Sequence, residues 1–261
     1  MKKYLVIGNP IDHSLSPKLH NYWIKKNNID AIYDKKLINE NDIENIVSEV
    51  KKNNIYGINV TVPFKQKIIP FVDKLTPEAN ESQSINTIYK ENDKIIGHNT
   101  DMAGFELGLR HINCKVKDKK VFILGAGGVV SSIILTLKKM GASKIFLSNR
   151  TKKKAENFKK SFSYLEIVDW GEIPEFDMII NATSLGLKKN DEIKLDYADI
   201  GTNKFFYDVI YNPKQTIFLK RAKMFGNQAE NGKMMFIYQA HQAFTIWHKI
   251  MPEIDDETIK L

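Results

Sequence analysis

A lysine that follows a strand of mixed character is the first candidate for chemistry in this sequence. The apolar residues from Gly57 to Val62 are predicted to be buried in a strand, and they alternate with Asn59 and Thr61, an alternation that a strand buried on both faces would avoid. Lys65 comes shortly after Pro63, so two neutral hydrogen-bonding groups and one ammonium group end the same segment. These groups fit a polar ligand. The alternative is a strand edge followed by a helix that begins at Pro63, with Lys65 in solvent.

A polar loop between a strand and a helix is the second candidate. The apolar strand at residues 4–7 leads into a loop that contains Ser14 and Ser16, and Pro17 marks the start of a helix. Hydroxyl and backbone N–H groups at the start of a helix bind carboxylates or phosphates. For Ser16 taken alone, the favoured interpretation is that it only caps this helix.

A predicted hairpin brings a carboxylate toward one end of a strand pair. Two strand-like runs flank Asn92 and Asp93, a pair typical of tight turns between antiparallel strands. The hairpin places Asn86 and Asp101 at the same end. Asp101 either caps the helix that follows it or is the carboxylate partner of Lys65, and the sequence leaves both alternatives open.

A glycine turn in the second half predicts a dinucleotide site. The β-rich run at residues 120–124 precedes this turn, and an apolar helix follows over residues 129–140. Strand, glycine turn and helix form half of a βαβ unit, in which glycines let the backbone approach a pyrophosphate at the helix N-terminus. The predicted cofactor-binding residues of this segment are Gly125, Ala126, Gly127, Gly128 and Val129.

The residues after the next strand indicate which dinucleotide binds. In a Rossmann fold, an Asp or Glu at this position binds the 2′-hydroxyl of the NAD ribose. The sequence has instead Asn149, Arg150, Thr151 and, one turn into the next helix, Lys154. These groups suit a 2′-phosphate because they supply positive charge and hydrogen-bond donors. The predicted cofactor is therefore NADP.

Three long strings of unusual residue choice resemble the shikimate dehydrogenase family. Residues 8–21 match the family pattern Gly-x-Pro-x-x-His-Ser-x-Ser-Pro-x-x-His-Asn. Residues 59–65 match Asn-Val-Thr-x-Pro-Phe-Lys, and residues 99–101 match Asn-Thr-Asp. Strings of this length and composition are highly specific, and the resemblance continues through the glycine turn of the second half.

The resemblance implies an α/β fold with two domains and a cleft between them. An N-terminal α/β substrate-binding domain would cover residues 1–101 and would be completed by C-terminal helices at residues 232–261. A Rossmann-type NADP-binding domain would cover residues 102–231. A chain of 261 residues is long enough for two such domains.

The resemblance also implies roles for individual residues. Lys65 and Asp101 would form the catalytic pair. The substrate would be bound by Ser14, Ser16, Asn59, Thr61, Asn86, Tyr211 and Gln239. Further cofactor contacts would come from Thr183, Val209 and Gly232.

Composition limits the partners of the chain. The 39 basic residues exceed the 31 acidic ones, for a net charge of +8, but only Arg110, Arg150 and Arg221 are arginine. Dispersed lysine is typical of a solvated surface, which argues against a nucleic-acid partner. Cys114 is alone, the six histidines lack metal-ligand spacing, and no apolar run would span a membrane. We expect a cytoplasmic monomer or homodimer with no metal and no membrane partner.

The reaction that the resemblance implies is the NADPH-dependent, reversible reduction of 3-dehydroshikimate to shikimate. One alternative is a quinate/shikimate dehydrogenase that uses NAD, but its acidic residue near Arg150 is missing. A second alternative is a non-catalytic relative that senses the ligand. The presence of both Lys65 and Asp101 argues against the sensor.

Overall fold

The computed structural model describes residues 1–188 and 190–261. The chain divides into two compact units. Unit 1 consists of Met1–Phe105 and Ile237–Leu261, and unit 2 of Glu106–Phe236. Each unit has its own sheet, so each can be described by itself.

The strands and helices follow one another in an α/β pattern. The strands are β1 (Lys2–Gly8), β2 (Ala31–Leu37), β3 (Gly57–Val60), β4 (Lys74–Leu75), β5 (Thr87–Glu91), β6 (Lys94–His98), β7 (Lys120–Leu124), β8 (Lys144–Ser148), β9 (Leu165–Ile167), β10 (Met178–Asn181), β11 (Phe205–Asp208) and β12 (Gln228–Asn231). The helices are α1 (Ser16–Lys26), α2 (Ile43–Lys51), α3 (Pro77–Ser82), α4 (Asp101–His111), α5 (Val130–Lys139), α6 (Lys152–Ser161), α7 (Tyr197–Ile200), α8 (Ile217–Met224), α9 (Lys233–His248) and α10 (Asp256–Lys260).

The sheet of unit 1 is mixed, in the order β2-β1-β3-β5-β6-β4. β1 pairs in parallel with β2 and β3, whereas β5 is antiparallel to both β3 and β6. The predicted hairpin is confirmed: Asn92 and Asp93 join β5 to β6 with φ values of 47° and 61°. Asn and Asp tolerate this left-handed region better than other non-glycine residues.

The sheet of unit 2 is parallel throughout, in the order β12-β11-β10-β7-β8-β9. Its central strands are almost completely buried, in keeping with the continuous apolar runs that they contain. Because all six strands point the same way, their carboxyl ends lie at one edge of the sheet. The loops at this edge are where open α/β sheets bind ligands.

Two local predictions and one alternative interpretation in unit 1 are wrong. Val62 was expected to be buried with the strand, but β3 ends at Val60 and the Val62 side chain is 56% exposed. No helix begins at Pro63, since the first helical residues after it form the short 3-10 turn Ile69–Phe71. Leu15, and not Ser16, occupies the N-cap position of α1, and the side chain at this position makes no capping hydrogen bond.

Residues 1–188 and 190–261 contain neither a membrane-spanning helix nor a cluster of metal-ligating side chains. No helix there combines the length and the apolar character that crossing a bilayer requires. No cluster of three or more His, Cys, Asp or Glu side chains in these ranges has the arrangement of a metal site. The lone Cys114 is half-buried, and burial raises the pKa of its thiol to about 11, so the thiol is protonated at neutral pH.

Candidate active site

The central strand of unit 1 leads directly to Lys65. β3 lies between β1 and β5, and the chain stays attached to this sheet beyond the strand end because the Thr61 backbone N–H donates to the Ile7 carbonyl at 3.0 Å. The chain then turns, and the carbonyl of Lys65 accepts a 2.8 Å hydrogen bond from the N–H of Ile85. Lys65 is therefore held beside the segment that enters β5.

The ammonium group of Lys65 pairs with a carboxylate. Lys65 Nζ lies 2.5 Å from Asp101 Oδ2, and the two residues are only 9% and 4% exposed. Asp101 does not cap α4, because the Oδ1 atom of Asn99 accepts the N–H groups of Asp101 and Met102 at 2.9 and 3.2 Å. Of the two alternatives for Asp101, the structure therefore shows the contact with Lys65.

Asn86 organises the surroundings of this pair. Its Nδ2 atom lies 3.0 Å from Asp101 Oδ1 and 2.8 Å from the hydroxyl of Thr100, and it approaches Oε1 of Gln239 at 3.4 Å. Its Oδ1 atom accepts the N–H of Thr100 at 2.7 Å. The structure thus brings together four of the predicted site residues, Lys65, Asn86, Asp101 and Gln239, with Gln239 contributed by α9.

Asn59 is buried beside Asn86, and its side chain forms three hydrogen bonds with other protein groups. Oδ1 accepts from the hydroxyl of Tyr33 at 2.6 Å. Nδ2 donates to the carbonyl of Asn86 at 3.0 Å and to the hydroxyl of Thr87 at 3.1 Å. These contacts support Asn86, while direct binding of a substrate hydroxyl by Asn59 stays a prediction.

The loop with the two serines starts against the turn that contains Thr61. A Cβ atom on Gly8 would lie 2.5 Å from the methyl group of Thr61, so the two segments touch at this point. Ser14 is half-buried, and its hydroxyl accepts the N–H of Ser16 at 3.3 Å. Over the described residues the Thr61 hydroxyl has no hydrogen-bond partner, which leaves it available to a ligand.

Two glycines of the turn in unit 2 differ in their surroundings: packing requires a glycine at position 125 but not at position 127. Gly125 has a φ of 111°, and a Cβ atom there would lie 2.7 Å from the carbonyl oxygen of Ala182, so only glycine fits. A Cβ atom on Gly127, in contrast, would meet no described atom within 4 Å. Gly127 therefore borders open space beside the start of α5, which fits the close approach of a pyrophosphate.

Positive charge without an acidic partner follows β8. Arg150, Thr151 and Lys154 are exposed, and within residues 1–188 and 190–261 neither cation forms an ion pair. The neighbouring Lys152 differs, because its Nζ atom lies 2.5 Å from Asp169. Asn149 is half-buried and donates a hydrogen bond to the carbonyl of Thr151 at 3.0 Å. The unpaired cations leave this loop suited to a phosphate group.

The loops after β10, β11 and β12 hold the remaining predicted residues of unit 2. The N–H and hydroxyl of Thr183 donate to Oδ1 of Asn181 at 3.0 and 2.7 Å. A Cβ atom on Gly232 would lie 2.3 Å from the carbonyl of Val209, so Gly232 allows these two backbones to touch. The half-buried Tyr211 stacks on Phe236, with 4.3 Å between ring centroids.

Asp208, at the end of β11, is a residue that the sequence interpretation missed. It is completely buried, and its carboxylate accepts from Asn181 Nδ2 and from the Ile210 N–H at 3.0 Å, and from the Thr216 hydroxyl at 2.6 Å. Burial raises the pKa of this carboxyl to about 6 against the opposing effect of the three hydrogen bonds. An acidic residue that closes a hydrophobic run was the signal available in the sequence.

Two family models match the chain. One, described as the shikimate dehydrogenase substrate binding domain, matches residues 6–88, and the other, described as shikimate / quinate 5-dehydrogenase, matches residues 106–195. A curated relative from Pelagibacter ubique (strain HTCC1062), named shikimate dehydrogenase (NADP(+)), is 61% identical over 260 residues. This match covers 100% of the chain and 98% of the relative.

Solved structures agree over the full length. A crystal structure of shikimate dehydrogenase from Aquifex aeolicus has a TM-score of 0.92 at 38% identity and covers 100% of this chain and 96% of its own. The enzyme from Thermus thermophilus, solved in complex with NADP(H) and shikimate, has a TM-score of 0.89 at 27% identity, with coverages of 100% and 97%.

Proposed function

The chain belongs to the shikimate dehydrogenase family, and we propose that it catalyses the NADP-dependent, reversible reduction of 3-dehydroshikimate to shikimate. This reaction belongs to the shikimate pathway of aromatic amino acid biosynthesis. The observation that carries the proposal is the buried contact between Lys65 and Asp101, which lies in the unit that contains the match to the substrate-binding family model.

Lys65 and Asp101 together account for the proton that the reaction requires. Reduction of a ketone to an alcohol needs a hydride at carbon and a proton at oxygen, and bound NADPH supplies the hydride. Lys65 stabilises the negative charge that develops on the ketone oxygen and gives it the proton. Asp101 accepts a hydrogen bond from Lys65 and thereby aims its ammonium group, and in the reverse direction Lys65 removes the hydroxyl proton.

One set of residues binds the carboxylate of the substrate, and another set binds its ring hydroxyls. Ser14, in the loop before α1, and Ser16, the first residue of α1, bind the substrate carboxylate. The free hydroxyl of Thr61 and the amide of Gln239 bind ring hydroxyls, and Asn86 contacts the same ring while it holds Asp101. A site of hydrogen-bonding groups discriminates strongly against analogues without the matching hydroxyl, because its own donors and acceptors are then left unpaired.

The cofactor is NADP, and the residues of unit 2 fit it. Open space at Gly127 allows the pyrophosphate to approach the backbone at the start of α5. Arg150 and Lys154, which have no acidic partner among the described residues, bind the 2′-phosphate together with Thr151. The loops with Thr183 and Val209 contact the nicotinamide half.

A direct assay tests this function. Purified protein is incubated with shikimate and NADP, and NADPH formation is followed by its absorbance. We expect formation that depends on both compounds and that reverses when 3-dehydroshikimate and NADPH are supplied. Absence of any shikimate-dependent NADPH formation by folded protein would contradict the proposal.

Location and assembly are separate proposals. We place the enzyme in the cytoplasm, where its anionic substrate and NADP are available, and as a monomer or a homodimer without nucleic-acid partners. Cell fractionation tests the first statement, and light scattering coupled to size exclusion tests the second.

A further inference from the structure

Tyr33 is the buried residue of an otherwise accessible edge strand. β2 lies at the edge of the unit 1 sheet, and its other residues are half-buried or exposed, whereas Tyr33 is 2% exposed. Its hydroxyl donates a buried 2.6 Å hydrogen bond to Oδ1 of Asn59, which lies two strands away on β3. A buried tyrosine hydroxyl requires such a partner, so the position of Asn59 is coupled to that of Tyr33.

Hydrogen bonds continue from Asn59 to the catalytic pair. Nδ2 of Asn59 donates to the Thr87 hydroxyl at 3.1 Å, and this hydroxyl donates to Oδ1 of Asn86 at 3.1 Å. Nδ2 of Asn86 then donates to one oxygen of Asp101, whose other oxygen contacts Lys65. We call the four residues Tyr33, Asn59, Thr87 and Asn86 the amide relay.

The amide relay has a direction. An asparagine side chain has its acceptor on one side and its donors on the other, so each amide has one orientation that satisfies its neighbours. The Tyr33 hydroxyl donates and therefore favours the acceptor side of Asn59, which leaves the donor side for Thr87 and for the carbonyl of Asn86. A hydroxyl that receives this donation has its own proton free for Asn86.

Tyr33 itself is held firmly. The Asn21 amide binds its backbone on both sides, donating to the Tyr33 carbonyl at 2.7 Å and accepting its N–H at 3.0 Å. The ring stacks on His20, with 4.1 Å between centroids and 4° between planes. Burial lowers the pKa of His20 to about 3, so the stacking partner is uncharged at neutral pH. His20 therefore places no charge beside the Tyr33 hydroxyl that could compete with Asn59 for it.

We propose that Tyr33 is a positioning residue: its hydroxyl fixes the orientation of Asn59 and, through the amide relay, the aim of the Lys65 ammonium group. This inference rests on the proposed function and assigns no contact with a reacting atom to Tyr33. The N–H of Thr100 also holds Asn86, so loss of the Tyr33 hydroxyl misaligns the pair without releasing it.

Removal of one oxygen atom tests the inference. In Tyr33→Phe we expect kcat for shikimate oxidation to fall roughly tenfold. This loss is smaller than the one expected when a catalytic group is displaced by about 1 Å, because the Lys65 ammonium group is only slightly misaligned. KM for NADP should stay within about twofold of wild type. The matched control is Tyr4→Phe. Tyr4 is equally buried and lies opposite Tyr33 on β1, but its hydroxyl forms no hydrogen bond in the part of the chain that the structure describes. We expect its kcat within about twofold of wild type.

A double-variant comparison separates the relay from general loosening of the sheet. Thr87→Val breaks the relay one step further on, so the combined variant should lose less kcat than the product of the two single losses. If Tyr33→Phe does not fold, Thr87→Val alone tests the relay: a fall in its kcat supports the inference, and a normal kcat contradicts it. A normal kcat in Tyr33→Phe, an equal loss in Tyr4→Phe, or losses that multiply would overturn the inference. Wild-type protein without activity would instead contradict the proposed function.

Discussion

Asp208 carries a buried negative charge whose energetic effect can be measured. Its carboxylate connects the end of β10, through Asn181, to the loop after β11, through the N–H of Ile210. Burial is the largest influence on this group and raises its pKa from 3.8 to about 6. The ionised carboxylate is therefore less stable in the folded protein than in the unfolded chain.

The size and sign of the effect follow from this pKa. Well below pH 3.8 the carboxyl is protonated in both the folded and the unfolded state, so its ionisation costs no stability. Between pH 4 and 6 the folded protein keeps the proton that the unfolded chain releases, so stability falls as the pH rises. By pH 7 the accumulated loss corresponds to about 3 kcal/mol of unfolding free energy from this group.

Denaturant unfolding of wild type and Asp208→Asn between pH 4 and 7 measures this loss. Asparagine keeps an oxygen for Asn181 and Ile210 but has no charge at any pH. The free energy of unfolding of wild type minus that of the variant should fall by about 2 kcal/mol over this range, because a small part of the full loss has already occurred at pH 4. Asp93→Asn, which removes a charge from a side chain that is 95% exposed, serves as the control. A difference for Asp208 that stays flat or grows with pH would refute the reasoning.

Three further predictions concern the site. Lys65→Ala should lower kcat by about 100-fold or more and leave NADPH affinity nearly unchanged, as steady-state kinetics and fluorescence titration will show. Arg150→Ala should remove most of an NADP preference over NAD that is at least about tenfold in the native protein, since charge-assisted hydrogen bonds contribute about 1.5–3 kcal/mol each. Equal efficiency with both cofactors in wild type would contradict the latter. Ser14→Ala combined with Ser16→Ala should weaken shikimate binding far more than NADP binding in calorimetric titrations; equal losses would show that the serines do not hold the substrate.

Patterns within one segment were predictable from the sequence. The hairpin at Asn92 and Asp93 follows from turn chemistry, and the strand, glycine turn and helix around Gly127 follow from local periodicity. Most candidate site residues came from the same local patterns, and the family resemblance added their roles and further residues such as Tyr211 and Gln239. Its family assignment is confirmed by the matching models and relatives, whereas the individual roles of the site residues stay predictions.

Features that depend on distant partners were not predictable. Asn59 and Tyr33 are 26 positions apart, and the burial of Tyr33 in an exposed strand is not visible in its neighbours. Val62 was misjudged because the alternation continues in sequence after the strand has ended at Val60. Ser16 was misjudged as a cap because Ser is a common N-cap residue, whereas the backbone places Leu15 at that position.

The central claim is that Lys65 and Asp101 serve an NADP-dependent enzyme specific for shikimate. Catalytic efficiency on shikimate and on quinate, each with NADP and with NAD under identical conditions, tests it most directly. The extra hydroxyl of quinate lies beside the carboxylate for which we propose Ser14 and Ser16 as ligands, so we expect shikimate with NADP to exceed the other three combinations by at least about tenfold. Comparable efficiency on both acids, or no turnover of either, would contradict the account.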